Sequence, residues 1–262
     1  MEPRNHYKKR GVPKSQKSRE IKKINEMKNK NRVWIYSLVV MGFVLMLSNG
    51  CKKKDDNKGN STPIPTTITD IDGNVYHTVT IGTQVWMVEN LKVTKYRNGD
   101  PIPNITDGTQ WGNLTIGAYC NYNNDANNTA TYGRLYNWYA LNDSRNIAPS
   151  GWHVPTDAEW TELTNYLGGE SVAGGKLKEI GTTHWYSPNS GATNETGFTA
   201  LPGGSRGTDG SFDNIGSNGN WWSATESLAS RARGRGLHYD FSDVSWSDYP
   251  KELGFSVRCV RD

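Results

Sequence analysis

An α+β fold of short strands, two main helices and long ordered loops is predicted for residues 68–262, on three observations. That stretch is rich in Gly, Asn, Trp and Tyr and holds nine of the chain's ten tryptophans. Long apolar runs at helical spacing are scarce in it, so helices are few. Turn residues recur between short apolar segments, the pattern of short strands joined by ordered loops. Its length, about 195 residues, is enough for one real core.

Asp72-Gly73-Asn74 is a turn between Thr69-Asp-Ile71 and Val75-Tyr-His-Thr-Val-Thr-Ile81, so a hairpin opens the domain. Gln84-Val-Trp-Met-Val88 reads as a further strand. Leu135, Trp138, Tyr139 and Leu141 lie near helical spacing and predict a helix over Tyr132–Leu141. The clearest helix begins at Thr156, because Thr156-Asp-Ala-Glu159 is a capping box. Trp160, Leu163 and Leu167 form its apolar stripe, and Gly168-Gly169 ends it. A second short helix is expected over about Val172–Glu179. From Gly181 to Gly219 the chain reads as loop, and strands follow at Trp221–Thr225, Gly236–Phe241 and Gly254–Val260. Trp86, Trp138, Trp152 and Trp160 fall in regular elements and are expected in the core.

Before this domain the character differs. A 15-residue apolar run, Val33 to Leu47, passes through Ser48-Asn49-Gly50 to Cys51, and Lys52-Lys-Lys-Asp-Asp56 follows. A basic stretch, an apolar core, small residues and a cysteine form a bacterial lipoprotein signal, cut before Cys51, which is then acylated. The run is short of the ~20 residues a membrane-spanning helix needs. Residues 1–50 are therefore read as a signal peptide, with Met27 as an alternative start. Residues 51–67 are read as a polar, Pro-containing linker reaching up to roughly 50 Å. Residues 1–50 hold 12 Lys/Arg and 3 Asp/Glu of the chain's 30 and 26, so net charge from Cys51 onward is −5. That removes the electrostatic case for nucleic acid.

Few residues point to chemistry. Gly203-Gly-Ser-Arg-Gly207 matches a nucleophile elbow in letters, but Thr208-Asp-Gly-Ser211 cannot start the helix that an elbow needs, so a glycine-rich loop is expected. His77, His153, His184 and His238 lack metal-ligand spacing, and His153 reads as a packed, hydrogen-bonded core histidine. The oxygen-rich loop around Asn123, Asp125 and Asn127 suits calcium, with an Asx-turn loop as the alternative. Asp209, Asp213 and Asn214 form a weaker loop of the same kind. Cys120 and Cys259 are read as a disulfide on compartment grounds, with two buried free thiols as the alternative. Trp111, Trp185, Tyr186 and Trp246 lie in polar loops, where exposed rings could stack on sugars and buried ones would pin the loops to a core.

Six motifs occur in order: Tyr132-Gly-Arg-Leu-Tyr-Asn-Trp-Tyr139, Gly151-Trp-His-Val-Pro-Thr-Asp-Ala-Glu-Trp160, Gly174-Gly-Lys-Leu-Lys178, Thr193-Asn-Glu-Thr-Gly-Phe-Thr-Ala-Leu-Pro-Gly-Gly204, Trp221-Trp-Ser-Ala-Thr-Glu226 and Gly254-Phe-Ser-Val-Arg-Cys-Val-Arg261. Together they resemble the Fibrobacter succinogenes major paralogous domain, a family found largely in exported lipoproteins. Val154-Pro-Thr-Asp-Ala-Glu-Trp160 and the terminal Gly-Phe-Ser-Val-Arg258 are also similar to the formylglycine-generating, sulfatase-modifying family. That similarity implies a C-type-lectin-like fold, but it carries no activity. The oxidase's paired C-terminal cysteines are reduced here to Cys259, and the calcium triplets of C-type lectins are missing. Lys52-Lys-Lys-Asp-Asp56 resembles the export signal of Bacteroidetes-type surface lipoproteins. The expected protein is an outer-membrane lipoprotein, lipid-anchored at the cell surface, binding a polysaccharide or a partner protein. A glycan-acting hydrolase or modifying enzyme and a structural envelope protein are the alternatives.

Overall fold

In the computed structural model, which describes residues 66–262, the first half of the domain runs β1 (Thr67–Thr69), β2 (Val75–Ile81), β3 (Gln84–Met87), α1 (Gly108–Gly112), β4 (Tyr119–Cys120), α2 (Asn127–Tyr132), β5 (Leu135–Tyr136), α3 (Trp138–Leu141) and β6 (Trp152–His153). Then come α4 (Asp157–Tyr166), α5 (Glu170–Leu177), β7 (Gly203–Arg206), β8 (Phe212–Ile215), β9 (Asn218–Leu228), β10 (Arg231–His238), β11 (Ser245–Pro250) and β12 (Val260–Arg261). The architecture is mixed α+β and mostly β. One five-stranded sheet has the order β1-β2-β3-β12-β6, a second β11-β10-β9-β7-β8, and β4-β5 is a short ribbon. Signal peptide, Cys51 and most of the linker lie outside the described residues. Among the described residues no helix is long and apolar enough to cross a membrane.

Local chemistry explains the elements that form as expected. In the opening hairpin Asp70 Oδ1 accepts the Asp72 and Asn74 N–H groups, and Asp70 Oδ2 accepts the Tyr76 hydroxyl at 2.7 Å. On α4 both halves of the capping box are present, and Gly168 and Gly169 stop the helix at φ +101° and +96°. Trp160, Leu163 and Leu167 pack with Trp86, Phe198 and Trp221 in one core cluster. Trp222, one residue along β9, belongs to the other large cluster, with Trp138, Trp152 and Phe255. Successive strand residues point to opposite faces, so Trp221-Trp222 places one indole in each core.

Elsewhere tertiary contacts override the sequence pattern. The Tyr132–Leu141 helix is not continuous. α2 ends at Tyr132, Gly133 takes φ +76°, and Leu135–Tyr136 pairs with β4 before the four-residue α3. The second helix starts two residues earlier than expected, at Glu170. Strands appear where loop was expected, at β7 and β8, and β11 forms from polar Ser245–Pro250. In Gly254–Val260 only Val260 joins a sheet, while Phe255 and Ser256 bridge Tyr136 and Trp221.

The Cys120–Cys259 disulfide is not formed. Both thiols are free and buried, Cys120 beside Trp111 and Leu135, Cys259 in the cluster of Trp222. Each acts as a small apolar residue of a different cluster. Burial pushes the Cys120 thiol up to about 12 and raises Cys259 too, which disfavours the reactive thiolate.

His153 is hydrogen-bonded, as expected, but half-buried rather than in the core. Its Nδ1 meets Asp262 and its Nε2 meets Glu159, each at 2.7 Å. Burial lowers its pKa, but the hydrogen bonds to Asp262 and Glu159 outweigh that and hold it above the ordinary value. Burial likewise raises Glu159, and the Thr156 N–H and His153 more than reverse it. A raised histidine contributes stability fully below its unfolded pKa and loses it as pH climbs through the folded one. A lowered carboxylate contributes above its unfolded pKa and loses that as pH falls through the folded one. The clasp is therefore strongest in mildly acidic solution. Urea unfolding across pH should show His153→Gln losing about 0.5–1 kcal/mol there and less at alkaline pH. Equal loss at all pH would reject the ion-pair account.

Candidate functional site

The four loop aromatics separate into two kinds. Trp111 and Trp185 are 0% and 1% exposed, so they are core residues and not platforms. Trp111 donates from Nε1 to the Glu252 carbonyl, with the Arg206 guanidinium 4.5 Å from its ring, and Trp185 donates to the Ala200 carbonyl. These indoles pin irregular loops to the interior, the alternative that their polar sequence surroundings conceal. Tyr186 and Trp246 are 58% and 46% exposed. Trp246 lies on edge strand β11, stacked by Arg233 at 4.2 Å.

Tyr186 begins a line of contacting rings. It meets Tyr239 edge-on at 6.1 Å, Tyr239 meets His238 at 4.6 Å, and His238 meets Phe241 at 5.2 Å. Phe241 is 59% exposed. A separate pair, Tyr122 and Phe212, packs edge-on at 5.4 Å. Burial raises the Tyr122 and Tyr132 hydroxyls, and Tyr186 adds to the rise at both, so the three phenols are electrostatic neighbours. Gly216 makes room: a Cβ there would fall 2.6 Å from Tyr186 Cε1, and its φ is +81°. Gly216→Ala is expected to cost about 1–2 kcal/mol and to push Tyr186 off Tyr239, read as a lower melting temperature.

Lys178 holds the far end of the line in place. It is fully buried, and its ammonium donates to the Ser190, His238 and Phe241 carbonyls at 2.9, 3.0 and 2.7 Å. Burial pushes its pKa down to about 8, against the pull of Asp243 and Asp240. The turn carrying His238, Tyr239 and Phe241 is thus tied to an internal cation. Asn90 supports the near end: its Nδ2 donates to the Tyr132 carbonyl and its Oδ1 accepts from Trp221 Nε1 and from Arg258 Nε and Nη2.

The remaining sequence candidates have defined positions. Asn123, Asp125 and Asn127 are exposed, Asp125 Oδ1 accepts the Asn127 N–H at 2.9 Å, and Asn123 takes φ +53°. That is the Asx-turn arrangement. Asp213 accepts the Ser211 hydroxyl and is an electrostatic neighbour of Tyr122, which brings the second oxygen-rich loop to the aromatic line. Among the described residues no group of three or more His, Cys, Asp or Glu is gathered as for a metal ion. Ser205 lies within a strand paired with β8, not on an elbow. Glu159, Glu162 and Asp262 do line a concavity of about 420 Å³. There Glu159 and Asp262 are bound to His153 and Glu162 to Thr83, so none is an unoccupied acid or base. Near the rings, His184 Nδ1 lies 2.8 and 2.9 Å from both Glu179 oxygens.

A family model described as the Fibrobacter succinogenes major domain matches residues 79–261. The chain belongs to that family. The match spans the rings, Lys178 and the Asn90–Arg258 pair, so site and support both lie within the Fibrobacter succinogenes major domain. Neither the curated proteins nor the solved structures compared with this domain give a match. Of its ring line, Tyr186 was legible in the sequence, but Tyr122, Tyr132, Tyr239 and Phe241 were not. The available signal was His238-Tyr-Asp-Phe241, three aromatics within four residues where β10 ends.

Proposed function

We propose that this chain is a cell-surface lipoprotein, anchored to the outer membrane through Cys51, whose domain binds a polysaccharide along the rings that run from Tyr186 to Phe241. The observation that supports this most is the line itself: Tyr186 and Phe241 are exposed, and Tyr239 and His238 connect them. Flat rings offer sugar faces a large contact at little conformational cost, and a line suits a polymer better than a single residue. A C-type-lectin-like arrangement of the α+β domain is part of this reading, and loop-borne binding fits it. Calcium is not needed for stacking.

Retention of the full chain on insoluble polysaccharides, with and without chelator, tests the binding. Passage through every polymer would reject it. Protease shaving of intact cells tests the address, and protection would point to an inward-facing anchor. A glycan-modifying enzyme is the second reading, and the Glu179–His184 pair is what favours it. With Nδ1 held by the carboxylate, Nε2 is left to exchange a proton. Turnover of a retained glycan that disappears in His184→Gln would establish that reading over simple binding.

A further inference from the structure

We infer that the aromatic line selects amine-bearing polysaccharides, polymers whose sugars carry free ammonium groups, over neutral and acidic ones. This rests on the polysaccharide reading above and deepens it. The exposed charged side chains placed at the two ends of the rings are carboxylates, with His238 inside the line and His184, held by Glu179, beside Tyr132. Asp213, whose carbonyl and the Tyr122 ring both crowd the Gly204 position, stands beside Tyr122 at one end and is exposed. Asp240 and Asp243 follow the rings at the other end and are also exposed. Neither carboxylate makes a hydrogen bond or a direct ion pair among the described residues, and their charge is felt by Lys178.

Lys178 cannot answer an anionic ligand. Its ammonium is buried and spent on three backbone carbonyls. An ammonium group on a sugar would meet π faces and unpaired carboxylates together, both of which attract it. A uronate or sulfated polymer would meet like charge at both ends of the line. Arg233, which lies over Trp246, is itself paired with Asp248 across β10 and β11.

Chitin and chitosan form a matched pair of probes, since they share a backbone and differ in whether the amine is acetylated. In mildly acidic buffer the full chain should be retained about tenfold more strongly on chitosan than on chitin, and not on pectin. Added salt should lower chitosan retention toward the chitin level. The Asp240→Asn/Asp243→Asn variant should bring chitosan down about threefold to tenfold while leaving chitin unchanged. Tyr186→Ala should lose both, and Trp246→Ala should lose neither. Equal retention on the two polymers, or preference for pectin, overturns the amine selectivity and leaves polysaccharide binding standing. Chitosan retention that survives Tyr186→Ala is nonspecific attraction to an acidic protein and overturns the inference as well. Retention on none of them rejects both readings.

Discussion

Asn90→Ala is expected to lower the unfolding free energy by about 3–5 kcal/mol, the largest single loss among the substitutions considered. One side-chain oxygen serves three donors: Trp221 Nε1 at 2.8 Å, Arg258 Nη2 at 2.8 Å and Arg258 Nε at 3.1 Å. Its amide reaches the Tyr132 carbonyl and the Ser256 hydroxyl. Arg258 is 1% exposed, its Nη1 donates to the Phe198 carbonyl, and its guanidinium lies 4.2 Å from the Phe198 ring. Burial pushes its pKa down to about 9, with Glu89 pulling the other way. Removing Asn90 takes the acceptor from the Trp221 indole N–H and from Nε and Nη2 of the buried Arg258, which keeps only the Phe198 carbonyl, and buried donors cost far more unpaired than their bonds contribute when made. Asn90→Asp would supply a charged acceptor and should lose much less. Urea denaturation of the three proteins decides it: equal stability of Asn90→Ala and the parent would dismiss the hub.

Lys178→Met is expected to cost about 2–4 kcal/mol and to weaken polymer binding through the turn it holds. Methionine keeps most of the apolar stem beneath Trp185, so packing changes little. What disappears is the donor to three carbonyls, two of them at His238 and Phe241. Relief of the buried charge offsets part of this, which is why the figure is lower than three lost bonds suggest. Hydrogen exchange should then rise at residues 238–241 before it rises in β9. Unchanged exchange there would mean the turn stands without Lys178.

The parts legible in the sequence were those with a local cause. Asp72-Gly73-Asn74 makes a turn by itself, Thr156 and Glu159 cap each other, and Gly168-Gly169 stops a helix. The unread parts depend on distant partners. Leu135 and Tyr136 become a strand because Cys120 and Tyr119 are there to pair with them. Trp111 and Tyr186 have similar polar neighbours in sequence, yet one is sealed by Glu252 and Arg206 and the other is open. Lys178 looks like a surface lysine in sequence, because the Ser190, His238 and Phe241 carbonyls that hold its ammonium lie 12, 60 and 63 residues along the chain. Family membership was legible because six motifs keep their order, whereas the ligand leaves no mark of that kind.

Binding through Tyr186 is the central claim, and one comparison tests it most directly. The full chain and Tyr186→Ala are titrated against the same insoluble polysaccharide, with thermal melts run in parallel. Because Tyr186 is exposed, the melts should agree closely while retention falls about tenfold to thirtyfold, the loss of one exposed aromatic contact. Equal retention of the two proteins at equal stability would contradict the account.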